Sequence, residues 1–377
     1  MCQELTQGGS ERQLTETARG LDPARFTAHV GCLRPNGIRF EELRAAGIPL
    51  AIFPLPSFGN PAALLRSAAR MGRYLRENNI QLVHTFDTPG NIFGVPVARA
   101  YRTPVVLSSQ RAFRGLVGPG YRKALRLTDK LVDGVVVNCR QLEHHLYADE
   151  GVPRGRIRLC YNGIDTSQFH PQPPRRMEAL REATPGARAE STLVIGVVCA
   201  LRPEKGLPTL MEAFARIRAE RPGVRLAIIG SGPVLPALET LRAELHLGES
   251  CLFVPSTRDV VPWLRSIDIF VLPSLSEAFS NSLMEAMACG CAAIASRVGG
   301  NPELVSEGVT GLLFTPSDAG SLQQALRTLI DKPETRTAFA AAGAEMIRTR
   351  FSREAAAAAM STIYDSYLGK PPGVNEI

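Results

Sequence analysis

The sequence predicts an α/β protein made of two doubly wound parallel-sheet domains. Three observations carry this: short β-rich runs alternate with helix-length segments, a polar proline-rich stretch interrupts the alternation once, and 377 residues exceed what one core comfortably serves. In chain order, residues 26–33, 49–53, 81–85, 104–108, 134–137 and 156–160 read as strands, since each gathers β-branched or apolar residues between turn formers. Helices fill the gaps; Leu64, Ala68, Met71 and Leu75, for example, recur at helical spacing. Residues 171–190 are polar and rich in proline and read as a linker. Strands resume at 193–199, 225–230, 251–254, 268–273, 292–295 and 311–314, and the alanine run 355–359 marks a strong closing helix at 352–368. The expected organisation is a first domain at 1–170, a linker at 171–191, a second domain at 192–351 and a terminal helix and tail at 352–377.

Composition narrows the function classes. A 45% hydrophobic and 21% charged chain is globular, and no apolar run approaches the roughly eighteen residues that a membrane-spanning helix needs. The first residues lack the charged start and apolar core of a secretion signal, so a cytoplasmic location is the expectation. The eight cysteines are scattered, without a Cys-x-x-Cys pair, and read as reduced core residues. Net charge is +7, but residues 1–170 carry 22 Lys and Arg against 14 Asp and Glu, whereas the rest carries 21 against 22. The basic excess therefore belongs to the first half, which suits an anionic acceptor or an anionic membrane surface.

The most informative segment is 276–290, Ser-Glu-Ala-Phe-Ser-Asn-Ser-Leu-Met-Glu-Ala-Met-Ala-Cys-Gly. It places Glu277 on the loop after the strand at 268–273, and Glu285, eight residues on, on the wall of the following helix. One acid then meets the sugar and the other the ribose of a nucleotide sugar, while amides at the helix start favour an anionic or hydroxyl-rich ligand. The same letters also fit a capping box from Ser282 to Glu285, in which the second acid only satisfies its own helix terminus. Upstream, Leu201-Arg202-Pro203-Glu204-Lys205-Gly206 sets two cations between a strand and a helix. Arg binds phosphate oxygens bidentately and Lys supplies a mobile point charge, which suits a leaving diphosphate; a solvated charged turn is the plain alternative. The chain contains no Asp-x-Asp, so a site without metal is expected. The Gly230-Ser231-Gly232-Pro233 loop lacks the third glycine of a dinucleotide fingerprint.

These stretches, with Gly299-Gly300-Asn301-Pro302-Glu303 downstream, resemble the Glu-x7-Glu signature and flanking elements of retaining glycosyltransferases of family 4. The resemblance extends over nearly the whole chain. It implies the GT-B architecture, two Rossmann-like domains facing a cleft, with the acceptor on residues 1–170, the nucleotide sugar on 192–351, and the helix at 352–368 returning to the first domain. It also implies a catalytic set of Glu277, Arg202 and Lys205, with Glu277 on the transferred sugar and the two cations on the diphosphate. Glu285 is implied to hold the ribose, the backbone of Phe279, Ser280, Asn281, Ser282 and Leu283 the sugar hydroxyls, and Arg258 the side of the base. Gly9 lets the backbone approach the diphosphate closely. Gln110 stands where many members carry a His; it donates a hydrogen bond to a sugar hydroxyl but cannot titrate. Arg111, beside it, reads as a partner for a phosphate of the acceptor or the donor, and Asn162-Gly163-Ile164-Asp165 as a hinge turn. No residue stands out as a covalent nucleophile, so front-face attack assisted by the leaving phosphate is the implied chemistry.

The sequence departs from the family at its start: the Gly8-Gly9-Ser10 loop has no credible strand before it, because Cys2 to Thr6 is short and polar. A start lying further upstream and a first sheet built differently are the two readings. The expected function is transfer of a hexosyl unit from a nucleotide sugar, a UDP-sugar by expectation, to a lipid-linked or polysaccharide acceptor in envelope or exopolysaccharide biosynthesis. A sugar-nucleotide epimerase of the same fold and an inactive donor-binding subunit of an envelope complex are the alternatives. No cofactor and no nucleic-acid partner are expected. Arg111, Arg114, Arg122, Lys123, Arg126 and Lys130, interspersed with Leu116, Val117, Tyr121, Leu125 and Leu127, suggest peripheral attachment to an anionic membrane; a helix packing its apolar side on its own sheet reads equally well.

Overall fold

Strand pairing is parallel throughout the computed structural model, which describes residues 1–55, 57–172 and 193–369. Most of the expected linker and the tail past 369 lie outside the described residues. The chain divides into two units, Met1–Gly163 with Arg353–Ile377, and Ile164–Ser352.

In the first unit β1 (Val30–Cys32) pairs with β2 (Leu50–Ile52), and β3 (Leu82–Thr85), β4 (Val105–Gln110), β5 (Gly134–Val137) and β6 (Ile157–Leu159) form a four-stranded sheet in that order. Residues 1–3 lie between the two sheets. The Cys2 amide donates to Gly31 (3.1 Å) and Leu33 donates to Cys2 (3.3 Å) on one side, while the Met1 ammonium donates to His84 (2.7 Å) and Phe86 to Met1 (2.9 Å) on the other. The place of a first strand is thus held by three residues, anchored by Cys2 and Leu5, both fully buried. Ahead of Met1 the gap between Ala28–Gly31 and Leu82–His84 opens into a cavity of about 400 Å³. Of the strand expected at 26–33 only Val30–Cys32 are paired.

The helices follow local chemistry. In α1 (Gly9–Gly20) no side chain caps the start, α2 spans Arg39–Ala45, and α3 (Pro61–Glu77) begins on the Asn60 side chain with proline at its first position and buries Ala63, Ser67, Met71 and Leu75. The Asp87 carboxylate caps α4 (Thr88–Ala100) through the Gly90 amide, and α5 (Pro119–Thr128) and α6 (Arg140–Ala148) complete the run.

The second unit holds β7 (Val194–Val198), β8 (Arg225–Ile229), β9 (Cys251–Val254), β10 (Ile269–Leu272), β11 (Ala292–Ser296) and β12 (Gly311–Phe314), in spatial order β12-β11-β10-β7-β8-β9. This is the Rossmann order, with its switch point between β7 and β10. Its helices are α7 (Leu207–Glu220), α8 (Leu235–Glu244), α9 (Val261–Arg265), α10 (Asn281–Ala288), α11 (Asn301–Leu304), α12 (Ala319–Asp331) and α13 (Pro333–Arg350). The central strands are buried along their whole length, which is why they read as unbroken apolar runs rather than alternating ones; Ile195, Val197, Ile269, Val271, Ile294 and Phe214 form the middle of the core.

The last helix, α14 (Arg353–Leu368), belongs to the first unit. Arg353 pairs with Glu16 of α1 and Arg25 pairs with Asp365. Tyr364 and His84 share a buried hydrogen bond of 2.8 Å at Nδ1, and the other ring nitrogen of His84 meets Ser109 Oγ at 2.8 Å. Burial, helped by the Arg111 guanidinium and the Met1 ammonium, holds the His84 pKa well below its usual value. An unfolded histidine gains its proton near pH 6.5 while this one stays neutral, so below about pH 6.5 the unfolded state binds the extra proton and stability falls, by up to about 1.4 kcal/mol per pH unit. Urea melts between pH 7 and 5 are therefore expected to show a steeper loss of stability for the native protein than for His84→Gln. Parallel profiles would contradict the assignment.

Candidate active site

In an open α/β sheet ligands sit outside the carboxyl ends of the strands at the switch point. In the second unit that edge is formed by the loops after β7, β10 and β11. The loop after β7 ends in a 3-10 turn, Pro203–Lys205, closed by Gly206 at φ +62°. A Cβ on Gly206 would lie 2.1 Å from the Pro273 carbonyl oxygen, so only glycine lets this loop rest on the end of β10. The contact is reinforced by the Leu275 amide, which donates to the Glu204 carbonyl at 2.8 Å. The loop after β11 behaves alike: Gly299 has φ +54°, and a Cβ there would lie 1.5 Å from the Glu277 carbonyl oxygen. Gly300 then donates to Ala278 at 2.6 Å.

This packing brings Lys205 and Glu277 together although 72 residues separate them: Lys205 Nζ donates to Glu277 Oε2 at 2.7 Å. Ser274 Oγ donates to the same oxygen at 3.1 Å. Burial works against the Lys205 charge, yet the Glu277 carboxylate, by Coulomb attraction and by the hydrogen bond, leaves its pKa raised. The ammonium has three donors and spends one on Glu277. Arg202 is exposed at the start of the same turn. The neighbouring Cys199 thiol is pushed up to about 12 by burial, which keeps it protonated and a poor nucleophile.

Glu285 is buried on α10. The helix is capped by Ser280, whose Oγ accepts from the Leu283 amide at 3.3 Å. Glu285 therefore lies two positions past the place that a capping box would give it, and the Ser282 box is not formed. Phe279 and Ser280 are buried, and Asn281 and Ser282 are partly exposed at the first turn. The exposed Arg258 follows β9 at the same edge of the sheet.

Two further residues named from the sequence lie in the first unit. Gly9 is the first residue of α1. Gln110, at the end of β4, is buried; its Nε2 donates to the Ala112 carbonyl at 2.6 Å and its Oε1 accepts from Arg114 Nε at 3.3 Å, so both ends of the amide are held internally.

No role is read from the sequence for three supporting residues, although Asn301 lies in the Gly299-Gly300-Asn301-Pro302-Glu303 stretch. Ser274 orients Glu277, Ser296 Oγ donates to the Ser274 carbonyl at 2.6 Å, and buried Asn301 donates to the Ser296 carbonyl at 3.0 Å. Small polar residues at strand ends are too common to single out without knowing which strands adjoin.

A six-stranded sheet of Rossmann order with an ion pair at its switch point, and a second unit that is also parallel α/β, define a protein of two Rossmann-like domains. Comparison with known families is specific. The profile for Glycosyltransferase Family 4 matches residues 7–168 and that for Glycosyl transferases group 1 matches residues 181–346. The chain belongs to the group 1, family 4 glycosyltransferases, and it is a glycosyltransferase with the GT-B fold. Among curated relatives it is similar to the sulfoquinovosyl transferase SQD2 of Arabidopsis thaliana, 27% identical over 82% of this chain and 61% of that protein, so the chain spans less than two thirds of that relative. It is likewise similar to the D-inositol 3-phosphate glycosyltransferase of Thermobispora bispora, 27% identical over 95% of this chain and 87% of that one. Among solved structures, Anabaena HepE in complex with UDP and glucose superposes with a TM-score of 0.84 at 21% identity, over 97% of this chain and 99% of HepE, a likeness of fold.

Gly299→Ala is expected to cost more than about 1 kcal/mol, because alanine is strained at positive φ and its Cβ meets a carbonyl that has little room to move. Denaturant unfolding checks this, and a variant as stable as the native protein would contradict the packing described for this loop.

Proposed function

We propose that the protein transfers a hexosyl unit, with retention and without a metal, from a UDP-sugar to a lipid-linked or saccharide acceptor of the cell envelope. The observation that carries the reading is the Lys205–Glu277 pair at the switch point of the second unit, 2.7 Å apart. The pair is neutral as a whole, and Arg202, exposed at the start of the same turn, is the cation at this edge best suited to a diphosphate. The UDP and glucose held by HepE support a UDP-sugar. The inositol 3-phosphate relative supports a polar hydroxyl as acceptor.

In this reading the acceptor hydroxyl attacks the anomeric carbon on the face from which the diphosphate departs. The new glycosidic C–O bond forms as the old one to the phosphate oxygen breaks, and the hydroxyl proton passes to that departing oxygen. Arg202 and the two remaining donors of Lys205 take up the charge that grows on the diphosphate, the place where fixed charge accelerates such a step most. Glu277, held by Lys205 and Ser274, accepts hydrogen bonds from the sugar. Glu285 meets the ribose from the helix wall, and the amides near Phe279–Leu283 meet the sugar.

Lys205→Ala and Glu285→Gln should each lower kcat/KM by about 10²–10³, equivalent to about 2–4 kcal/mol of transition-state stabilisation, with circular dichroism unchanged. The assay follows UDP release from a panel of UDP-sugars with lysate acceptors, and addition of EDTA should leave turnover intact. Near-native turnover in both variants would overturn the site, and release of UDP from donor alone, without acceptor, would favour the epimerase.

Attachment to an anionic membrane is the second part of the proposal. Four of the eight large apolar residues most exposed among those described, Leu116, Tyr121, Leu127 and Leu131, fall within sixteen residues around α5. Of the apolar side chains in the helix itself, Leu125 is the one that packs inward. Arg122 and Arg126 share Glu150, while Lys123 and Lys130 are exposed cations. Such a surface attracts anionic headgroups at about 1 kcal/mol per cation while the apolar residues enter the interface. Cosedimentation with phosphatidylglycerol vesicles should be strong at low salt, fall as salt rises, and be lost in the Leu116→Ser, Tyr121→Ser, Leu127→Ser triple variant. Equal binding of that variant, or equal binding to neutral vesicles, would rule this surface out.

A further inference from the structure

Arg111 lies at the carboxyl end of β4, and its surroundings are unusual for a cation. Its Nη1 donates to Asn162 Oδ1 at 2.7 Å, and the guanidinium stacks over the Phe86 ring at 4.9 Å. Nε is buried and has no partner. Among the described residues Arg111 forms no ion pair, whereas Arg114, three residues on, is held by Asp129 at 2.7 Å and approaches Glu150 at 3.7 Å. An arginine does not shed its proton to escape burial, so a guanidinium partly withdrawn from water without a counter-charge is a cost to the fold. Burial holds its pKa down to about 10.

The position explains the cost. Residues 1–3 and β3 mark the switch point of the first unit, because the chain goes one way from residues 1–3 to β1 and β2 and the other way from β3 to β6. Phe86 follows β3 and Asn162 follows β6, so the guanidinium is braced on two sides at the edge where this class of sheet receives ligands. What remains is the Nε–Nη2 edge, the fork that matches two oxygens of one oxyanion. Residues 1–170 carry eight more cationic than anionic side chains, which favours the more highly charged phosphate over a carboxylate.

We infer that Arg111 is the seat of a phosphate-binding site on the first unit, engaging a phosphoryl group of the acceptor or the donor through its Nε–Nη2 edge. The inference rests on the proposed transfer reaction for its biological sense, but its test does not use turnover. Thermal melts are recorded for the Arg202→Ala, Lys205→Ala protein, which lacks the cationic turn of the second unit, with and without Arg111→Gln. Inorganic phosphate should raise the midpoint by about 2 °C or more over sodium chloride or acetate of equal ionic strength. Arg111→Gln should abolish that rise and also raise the phosphate-free midpoint, because a partly buried cation without a counter-charge has been removed. Two probes on the otherwise native protein separate the sources. For an acceptor phosphate, sn-glycerol 3-phosphate gives an Arg111-dependent rise and the rise with UDP is untouched by Arg111→Gln; for a donor phosphate, the rise with UDP shrinks in Arg111→Gln. A phosphate effect no larger than that of acetate, or one that survives Arg111→Gln, would overturn the proposal, and loss of transfer in the Lys205 variant bears on neither result.

Discussion

Two glycine-to-carbonyl contacts fix the site of the second unit. Gly206 against the Pro273 oxygen and Gly299 against the Glu277 oxygen leave no room for a side chain, so the loops after β7, β10 and β11 have one way to lie on each other. Everything chemical at this edge follows from that packing. Lys205 can reach Glu277 because its turn is pressed onto β10, and Ser274 and Ser296 can chain the strand ends together because β10 and β11 are neighbours in register. A rigid strand edge with short loops gives a charged pair the fixed geometry that electrostatic stabilisation requires.

The two units solve the charge problem differently. In the second, Lys205 and Glu277 neutralise each other, and Arg202 stands exposed at the start of the same turn. In the first, Arg111 is left without a carboxylate while its neighbours Arg114, Arg122 and Arg126 are all tied to Asp129 or Glu150. The basic balance of the first half is therefore not spread evenly. Part of it is neutralised within the fold, and part is left at the carboxyl strand edge and around α5.

Much of this was legible in the sequence, for physical reasons. Buried parallel strands read as short apolar runs, so 134–137, 251–254 and 311–314 coincide with β5, β9 and β12, and the others differ by a residue or two at their ends, except the run at 26–33, which starts four residues late as β1. The Lys205 and Glu277 loops stood out because charged residues at strand ends are conspicuous against such runs. Pairing was harder. That residues 1–3 occupy the place of a strand depends on hydrogen bonds to Gly31 and His84, which local composition cannot reveal. The capping alternative for Glu285 was undecidable from spacing, since Ser280 and Ser282 are both good caps; the fold chose Ser280. Gln110 looked available to a ligand because nothing in the sequence shows that Arg114 and the Ala112 carbonyl hold its amide. The orphaned Nε of Arg111 was equally invisible, because an absent carboxylate is a fact of three dimensions.

The central claim is that the switch point of the second unit holds the diphosphate and sugar of a nucleotide-sugar donor. A crystal structure of the protein with UDP-glucose tests it most directly. The account predicts diphosphate oxygens within hydrogen-bonding distance of Arg202 and Lys205, the sugar on Glu277 and the ribose on Glu285. Nucleotide bound away from the loops after β7 and β10, with the Lys205–Glu277 pair untouched, would contradict it.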